Sequence, residues 1–102
     1  MASFNKYPDV FKPIKVGPLT VKNRLQFSPM VSCLSASNGE VTNEFVKFIE
    51  MQARTGAGII YIGATPIDLD TGADFCGELN ICEDGMLPGL YRISEAAHRY
   101  GA

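Results

Sequence analysis

The chain has 102 residues, 46% of them hydrophobic, and nine Lys and Arg against eleven Asp and Glu give it a formal charge of −2. That composition suits one small globular domain rather than a disordered segment. With no basic run, the chain lacks the electrostatic footprint of a nucleic-acid binder.

The opening "MASFNKYPDVF" has no apolar signal-peptide core, and no stretch approaches the roughly 18 apolar residues of a membrane span. Three cysteines, Cys33, Cys76 and Cys82, include no C-x-x-C pair. This argues against a disulfide scaffold or zinc site and for a reducing cytoplasm. Next, "PIKVGPLTVKNR" alternates apolar and polar residues on both sides of Gly17-Pro18, which predicts a hairpin. Residues 25–28, "LQFS", form a short run consistent with a buried strand. Pro29 ends it, having no N–H to give a sheet ladder. The polar loop "SASNGE" follows.

Residues 42–54, "TNEFVKFIEMQAR", carry Phe45, Phe48, Ile49 and Ala53 on one helical face. Thr42 or Asn43 can cap the start, and Gly56 can take the left-handed position past the end. Residues 59–62, "IIYI", are a continuous apolar run, the pattern of a strand covered on both faces in a parallel sheet. The run breaks at "GATP". Residues 68–84 read as a long loop rich in Gly and Asp, containing Phe75 and an extended piece over 79–81. Finally, "DGMLPGLYRISEAAHRYG" predicts a second helix. Asp84 is its candidate cap, and Leu87, Leu90, Ile93, Ala97 and Tyr100 face inward. Glu95 and Arg99 lie four apart on the exposed side, and Gly89 weakens the first turn.

The order is hairpin, strand, helix, strand, helix. It implies an α/β fold with parallel strands and right-handed crossovers. In such folds ligands bind beyond the C-terminal ends of the strands. Here those ends are residues 28–31 and 63–66, built of small or backbone-dominated residues that let main chain approach a flat ligand. The plainer alternative is that they simply end strands.

Other chemistry-bearing residues read as ordinary. His98 has no carboxylate or nucleophile placed to partner it and suits a solvated helix end. Asp68, Asp70 and Asp74 lack the ligand spacing and terminal Glu of an EF-hand. Cys76 and Cys82 have no metal-ligand spacing and suit a loop. Met30 and Met51 suit packing.

The segment "PIKVGPLTVKNRLQFSPM" resembles the opening of the Old Yellow Enzyme family of flavin-dependent reductases. Phe11, Pro13, Ile14, Gly17, Leu19, Thr20, Lys22, Asn23, Arg24, Pro29 and Met30 all fit the family pattern. The likeness continues through Asn38-Gly39-Glu40, "IIYIGAT" and the closing "RYGA". It is most specific in the first third, and the nearer branch is that of enoate and 2,4-dienoyl-CoA reductases.

The resemblance implies that residues 1–102 are the N-terminal portion of a TIM (β/α)8 barrel, a capping hairpin plus about two β/α units, with FMN at the C-terminal mouth. By the same resemblance Ser28, Pro29, Met30 and Val31 contact the isoalloxazine, and Ala64 offers its backbone N–H near a flavin carbonyl. Cys33 falls where some members place a substrate-facing Tyr. Val31 departs from the family's usual Thr or Cys and has no group to hydrogen-bond the flavin. The implied reaction reduces an activated C=C bond of a small enone or enoyl substrate with electrons from NAD(P)H. Larger relatives add FAD and an iron–sulfur cluster in further domains.

A barrel of this kind takes about 250 residues. The chain alone is therefore expected to be inactive, and no catalytic or metal-binding residue is assigned within it. Two alternatives are a stand-alone small-ligand or flavin-binding module and a non-catalytic structural fragment. Open strand edges lead to the expectation of a homo-oligomer.

Overall fold

A computed structural model describes residues 6–73 and 76–102. Strands β1 (Ile14–Val16) and β2 (Leu19–Val21) pair antiparallel with Val16 opposite Leu19. The two-residue loop between them is therefore Gly17-Pro18. Gly17 has φ +57°, the positive value at the first central position that a type II′ turn requires. Strand β3 (Gln26–Phe27) pairs parallel with β4 (Ile59–Ile60), Gln26 opposite Ile59 and Phe27 opposite Ile60.

Helix α1 (Asn43–Arg54) crosses between them. Thr42 is its cap, Oγ1 accepting from the Phe45 N–H at 3.1 Å, and Gly56 follows its end at φ +96°. The predicted apolar face lands as expected: Phe45, Ile49 and Ala53 are buried, and Phe48 packs against them. The core cluster is Phe45, Ile49, Leu79 and Ile93, flanked by Leu34, Val41, Ile60, Ile62 and Leu90.

Two elements differ from expectation. A short helix α2 (Leu69–Gly72) interrupts the presumed loop after β4, because Asp68 caps it through the Asp70 N–H at 3.0 Å and the Thr71 hydroxyl at 2.9 Å. Asp74 and Phe75 lie outside the described residues. The last helix begins as a 3-10 turn (Asp84–Met86) and continues as α3 (Leu87–His98). Asp84 does not cap it. The turn buries Met86 and leaves Leu87 exposed, the reverse of the inward position expected for Leu87. Ile93 and Ala96 are buried, and Leu90 and Ala97 pack beside the core. Gly89 lets α3 come close to Val41, since a Cβ there would lie 2.7 Å from Val41 Cβ. What reads as a weak first turn is thus a close helix approach.

The strands predicted to be covered on both faces are not. Ile59 and Ile60 are only half-buried, and Leu25 and Tyr61 are exposed. Among the described residues the sheet has two strands, and beside β4 lies an apolar groove of about 450 Å³ lined by Val16, Leu19, Val21, Ile59, Ile60 and Ala97. Met30 and Met51 are 63% and 58% exposed, so neither packs as expected.

The stretch "KNR" ties the hairpin to the helix ends. Lys22 Nζ donates to the Tyr100 carbonyl at 2.5 Å, where a cation also meets the negative end of α3. Asn23 is buried. Its Nδ2 donates to the Gly56 carbonyl at 2.6 Å and its Oδ1 accepts from the Leu25 N–H at 3.1 Å. The Arg24 N–H donates to the Val10 carbonyl. No helix among the described residues is long and apolar enough to cross a membrane.

Candidate functional site at the strand ends

The two strand-end turns meet backbone to backbone. After β4, Gly63 has φ +100°, and a Cβ there would lie 2.7 Å from the Met30 carbonyl oxygen and 3.2 Å from the Val31 nitrogen. Only glycine permits both the dihedral and the approach. The parallel ladder leads into this contact, with the Tyr61 N–H donating to the Phe27 carbonyl at 3.3 Å. Thr65 Oγ1 donates to the Gly63 carbonyl at 3.1 Å and pins the second turn.

Ser28, Pro29, Met30 and Ala64 are exposed and Val31 is half-buried. None of these side chains is charged. Among the described residues, the N–H groups of Val31 and Ala64 donate to no protein acceptor. Such a surface presents free backbone donors and little side-chain bulk, which suits a flat, weakly polar ring. It offers no cation for a phosphate.

Behind the second turn stands a segment that sequence reasoning underrated. Pro66 is buried, and its carbonyl accepts from the Ile81 N–H at 3.2 Å and the Cys82 thiol at 3.4 Å. Asn80 is fully buried. Its Nδ2 donates to the Asn38 carbonyl at 2.7 Å, its Oδ1 accepts from the Cys82 N–H at 2.8 Å, and its own N–H donates to the Gly39 carbonyl. The one available signal was a lone Asn between Leu79 and Ile81. A buried amide costs stability unless its donors and acceptors are met, so Asn80 fixes how the 79–82 segment braces both loops.

Cys33 is placed by a different contact from the other five sequence-predicted residues. It is exposed, with φ +56°, and it lies under Gly77, whose Cβ would be 2.7 Å from the Cys33 carbonyl oxygen. Met30 and Val31 are brought against Gly63 and hence beside Ala64. His98 is exposed on the last turn of α3 and lines the groove beside β4.

A family profile described as the NADH:flavin oxidoreductase / NADH oxidase family matches residues 9–102. The chain belongs to this family. An NADH oxidase of Thermoanaerobacter brockii is 28% identical over 96 residues, which is 94% of this chain and 15% of the relative. Among solved structures, a 2-naphthoyl-CoA reductase in complex with 2-naphthoyl-CoA matches at TM-score 0.87 and 28% identity, over 94% of this chain and 14% of that one. The Old Yellow Enzyme homologue of Zymomonas mobilis matches at TM-score 0.82 and 26% identity, over 93% and 26%. The chain thus has the fold of part of these Old Yellow Enzyme-type barrels and spans only a minor part of each protein's length. What it contributes itself is a hairpin, a two-stranded parallel sheet and, among the described residues, three α-helices.

Proposed function

We propose that the chain is the N-terminal portion of an FMN-dependent NADH:flavin oxidoreductase, in which Ser28, Pro29, Met30, Val31 and Ala64 form one wall of the isoalloxazine site. The observation that carries this reading is the Gly63 contact, which sets two uncharged strand-end turns side by side with the N–H groups of Val31 and Ala64 free. The donor set fits the flavin ring. The FMN phosphate needs positive charge beside backbone N–H groups, and these five residues carry no cation, so phosphate binding is assigned to sequence other than these turns. When bound, FMN supplies hydride-transfer chemistry. The role of the present residues is to bind and orient the ring through Val31 and Ala64 N–H and to keep bulk away from it. The Val31 side chain donates nothing to the flavin, and Cys33 borders the substrate side.

The finer reading is reduction of an activated C=C bond of an enone or enoyl substrate with NAD(P)H electrons. It rests on the Old Yellow Enzyme resemblance of "PIKVGPLTVKNRLQFSPM" and on the likeness to a reductase that binds 2-naphthoyl-CoA. FAD and an iron–sulfur cluster belong to this reading only as components of further domains, and a cytoplasmic location only as an expectation from cysteine usage.

The experiment is expression of the open reading frame with whatever follows Ala102 in frame. The expected product is a yellow protein that consumes NADH or NADPH with a simple enone. Ala64→Leu is expected to lower its flavin content or shift the flavin potential. An unchanged flavin content and potential, with only a lower melting temperature, would mean that Ala64 merely ends a strand. A colourless full-length protein would remove the FMN assignment.

A further inference from the structure

The loop that follows β3 and the loop that precedes the 3-10 turn cross at a point carrying two exposed thiols. Gly77 sits on the Cys33 carbonyl, with its Cβ position 2.7 Å from that oxygen and 3.3 Å from the Ser35 carbonyl oxygen. The crossing is locked by the Ser35 N–H, which donates to the Gly77 carbonyl at 3.0 Å. Cys76 immediately precedes Gly77. Cys33 and Cys76 are both exposed and both free. Standard bond geometry then holds their Cα atoms within roughly 10 Å, against a disulfide span of about 4.4–6.8 Å. Gly77, at φ +77°, is the pivot about which the remaining distance can close.

A second observation concerns the backbone at Cys33. Among the described residues it is the only non-glycine in the left-handed region, at φ +56°. That conformation costs a β-carbon residue on the order of 1 kcal/mol or more. An ordinary loop residue here would be relieved by Gly or Asn. Cys82, the third thiol, is differently placed. It is half-buried and its Sγ lies 3.4 Å from the Pro66 carbonyl.

We propose that Cys33 and Cys76 form a reversible disulfide, a redox-controlled clasp between these two loops at the edge of the strand-end site. The oxidant is a low-molecular-weight disulfide. The Cys33 sulfur attacks one sulfur of the reagent, forming a mixed disulfide and releasing one reagent thiol. The Cys76 sulfur then attacks the Cys33 sulfur, forming the protein disulfide and releasing the second reagent thiol. The two protein thiols are oxidised by two electrons in total, and the protons leave on the two reagent thiols. A thiol reductant reverses both steps. In a reducing compartment such a bond is transient and regulatory rather than structural.

The test exploits an entropic contrast. In an unfolded chain the short loop between Cys76 and Cys82 closes more readily than the long one between Cys33 and Cys76. The protein expressed from its full open reading frame is treated with oxidised glutathione at pH 8, once in native buffer and once in concentrated urea. It is then alkylated, digested without reduction and mapped by mass spectrometry. Native oxidation is expected to give the Cys33–Cys76 linked peptide, ~2 Da lighter than its two reduced peptides together, at least about fivefold over Cys76–Cys82, with the ratio inverted in urea. Cys82→Ser should leave the native product intact, and Cys33→Ser should abolish it. The same product ratio in both buffers, a native preference for Cys76–Cys82, or only disulfides between chains would overturn the proposal.

Discussion

At the scale of single residues, the strand-end turns depend on glycines that no other side chain can replace. Gly63 combines φ +100° with a Cβ position 2.7 Å from the Met30 carbonyl oxygen, whereas Gly56 has φ +96° but open space around it. Gly63→Ala should therefore cost roughly 2–4 kcal/mol, from backbone strain plus the clash, and Gly56→Ala only about 1 kcal/mol, from strain alone. Urea denaturation of the two variants side by side checks this, and equal losses would show that the turns are not in contact. Asn80→Ala removes two side-chain hydrogen bonds from a fully buried position. It should cost roughly 2–4 kcal/mol and leave the Asn38 carbonyl and Cys82 N–H unpaired. Its sign is faster amide exchange at Cys82 and at residue 80 itself, whose N–H donates to the Gly39 carbonyl, beyond the general loss of stability.

At the scale of elements, stability sits where α1 and α3 lie against each other and against Leu79. Ile49 is 1% exposed and Met51, two residues on, is 58% exposed. Ile49→Ala is expected to lower stability by roughly 2–5 kcal/mol, and Met51→Ala by no more than about 0.5 kcal/mol. Thermal unfolding followed by circular dichroism separates the two. Both methionines had read as packing residues. Helical spacing alone could have warned against this for Met51, which falls off the Phe45, Ile49 and Ala53 face. The α1 cap, its apolar stripe and its glycine stop were all legible, because each is a local rule of spacing or dihedral. The two-part start of α3 was not. Whether Met86 or Leu87 turns inward depends on the direction from which the chain arrives, and that is set by the segment at residues 78–80, all buried.

At the scale of the whole molecule, the radius of gyration is 15.3 Å, and the extents are 49 × 27 × 22 Å. A compact domain of this length has about 13 Å. Val16 and Leu19 stand 48% and 67% exposed along the groove beside the open edge of β4. An uncovered apolar edge recruits further strands. The isolated 102-residue chain is therefore expected to self-associate at micromolar concentration, and Leu19→Lys to reduce that association at least severalfold. Light scattering across a dilution series decides it, and a stable monomer would refute the expectation. The same chain is expected to lose FMN on gel filtration, since the strand-end residues offer a ring wall and no phosphate cradle. Stoichiometric yellow flavin after the column would contradict this.

By itself the sequence determined the order of elements, the Gly17-Pro18 hairpin, the α1 face and, through its resemblance to Old Yellow Enzyme, the family. These follow from local periodicity, turn chemistry and a dense motif. Tertiary structure alone decided what the motif residues do and what is covered. Lys22 and Asn23 turn out to hold helix ends, since their partners, Tyr100 and Gly56, are distant in sequence. The continuous run at residues 59–62 reads as buried on both faces, because periodicity records what a strand is suited to. Burial also needs a neighbour, and among the described residues β4 has one only on the β3 side.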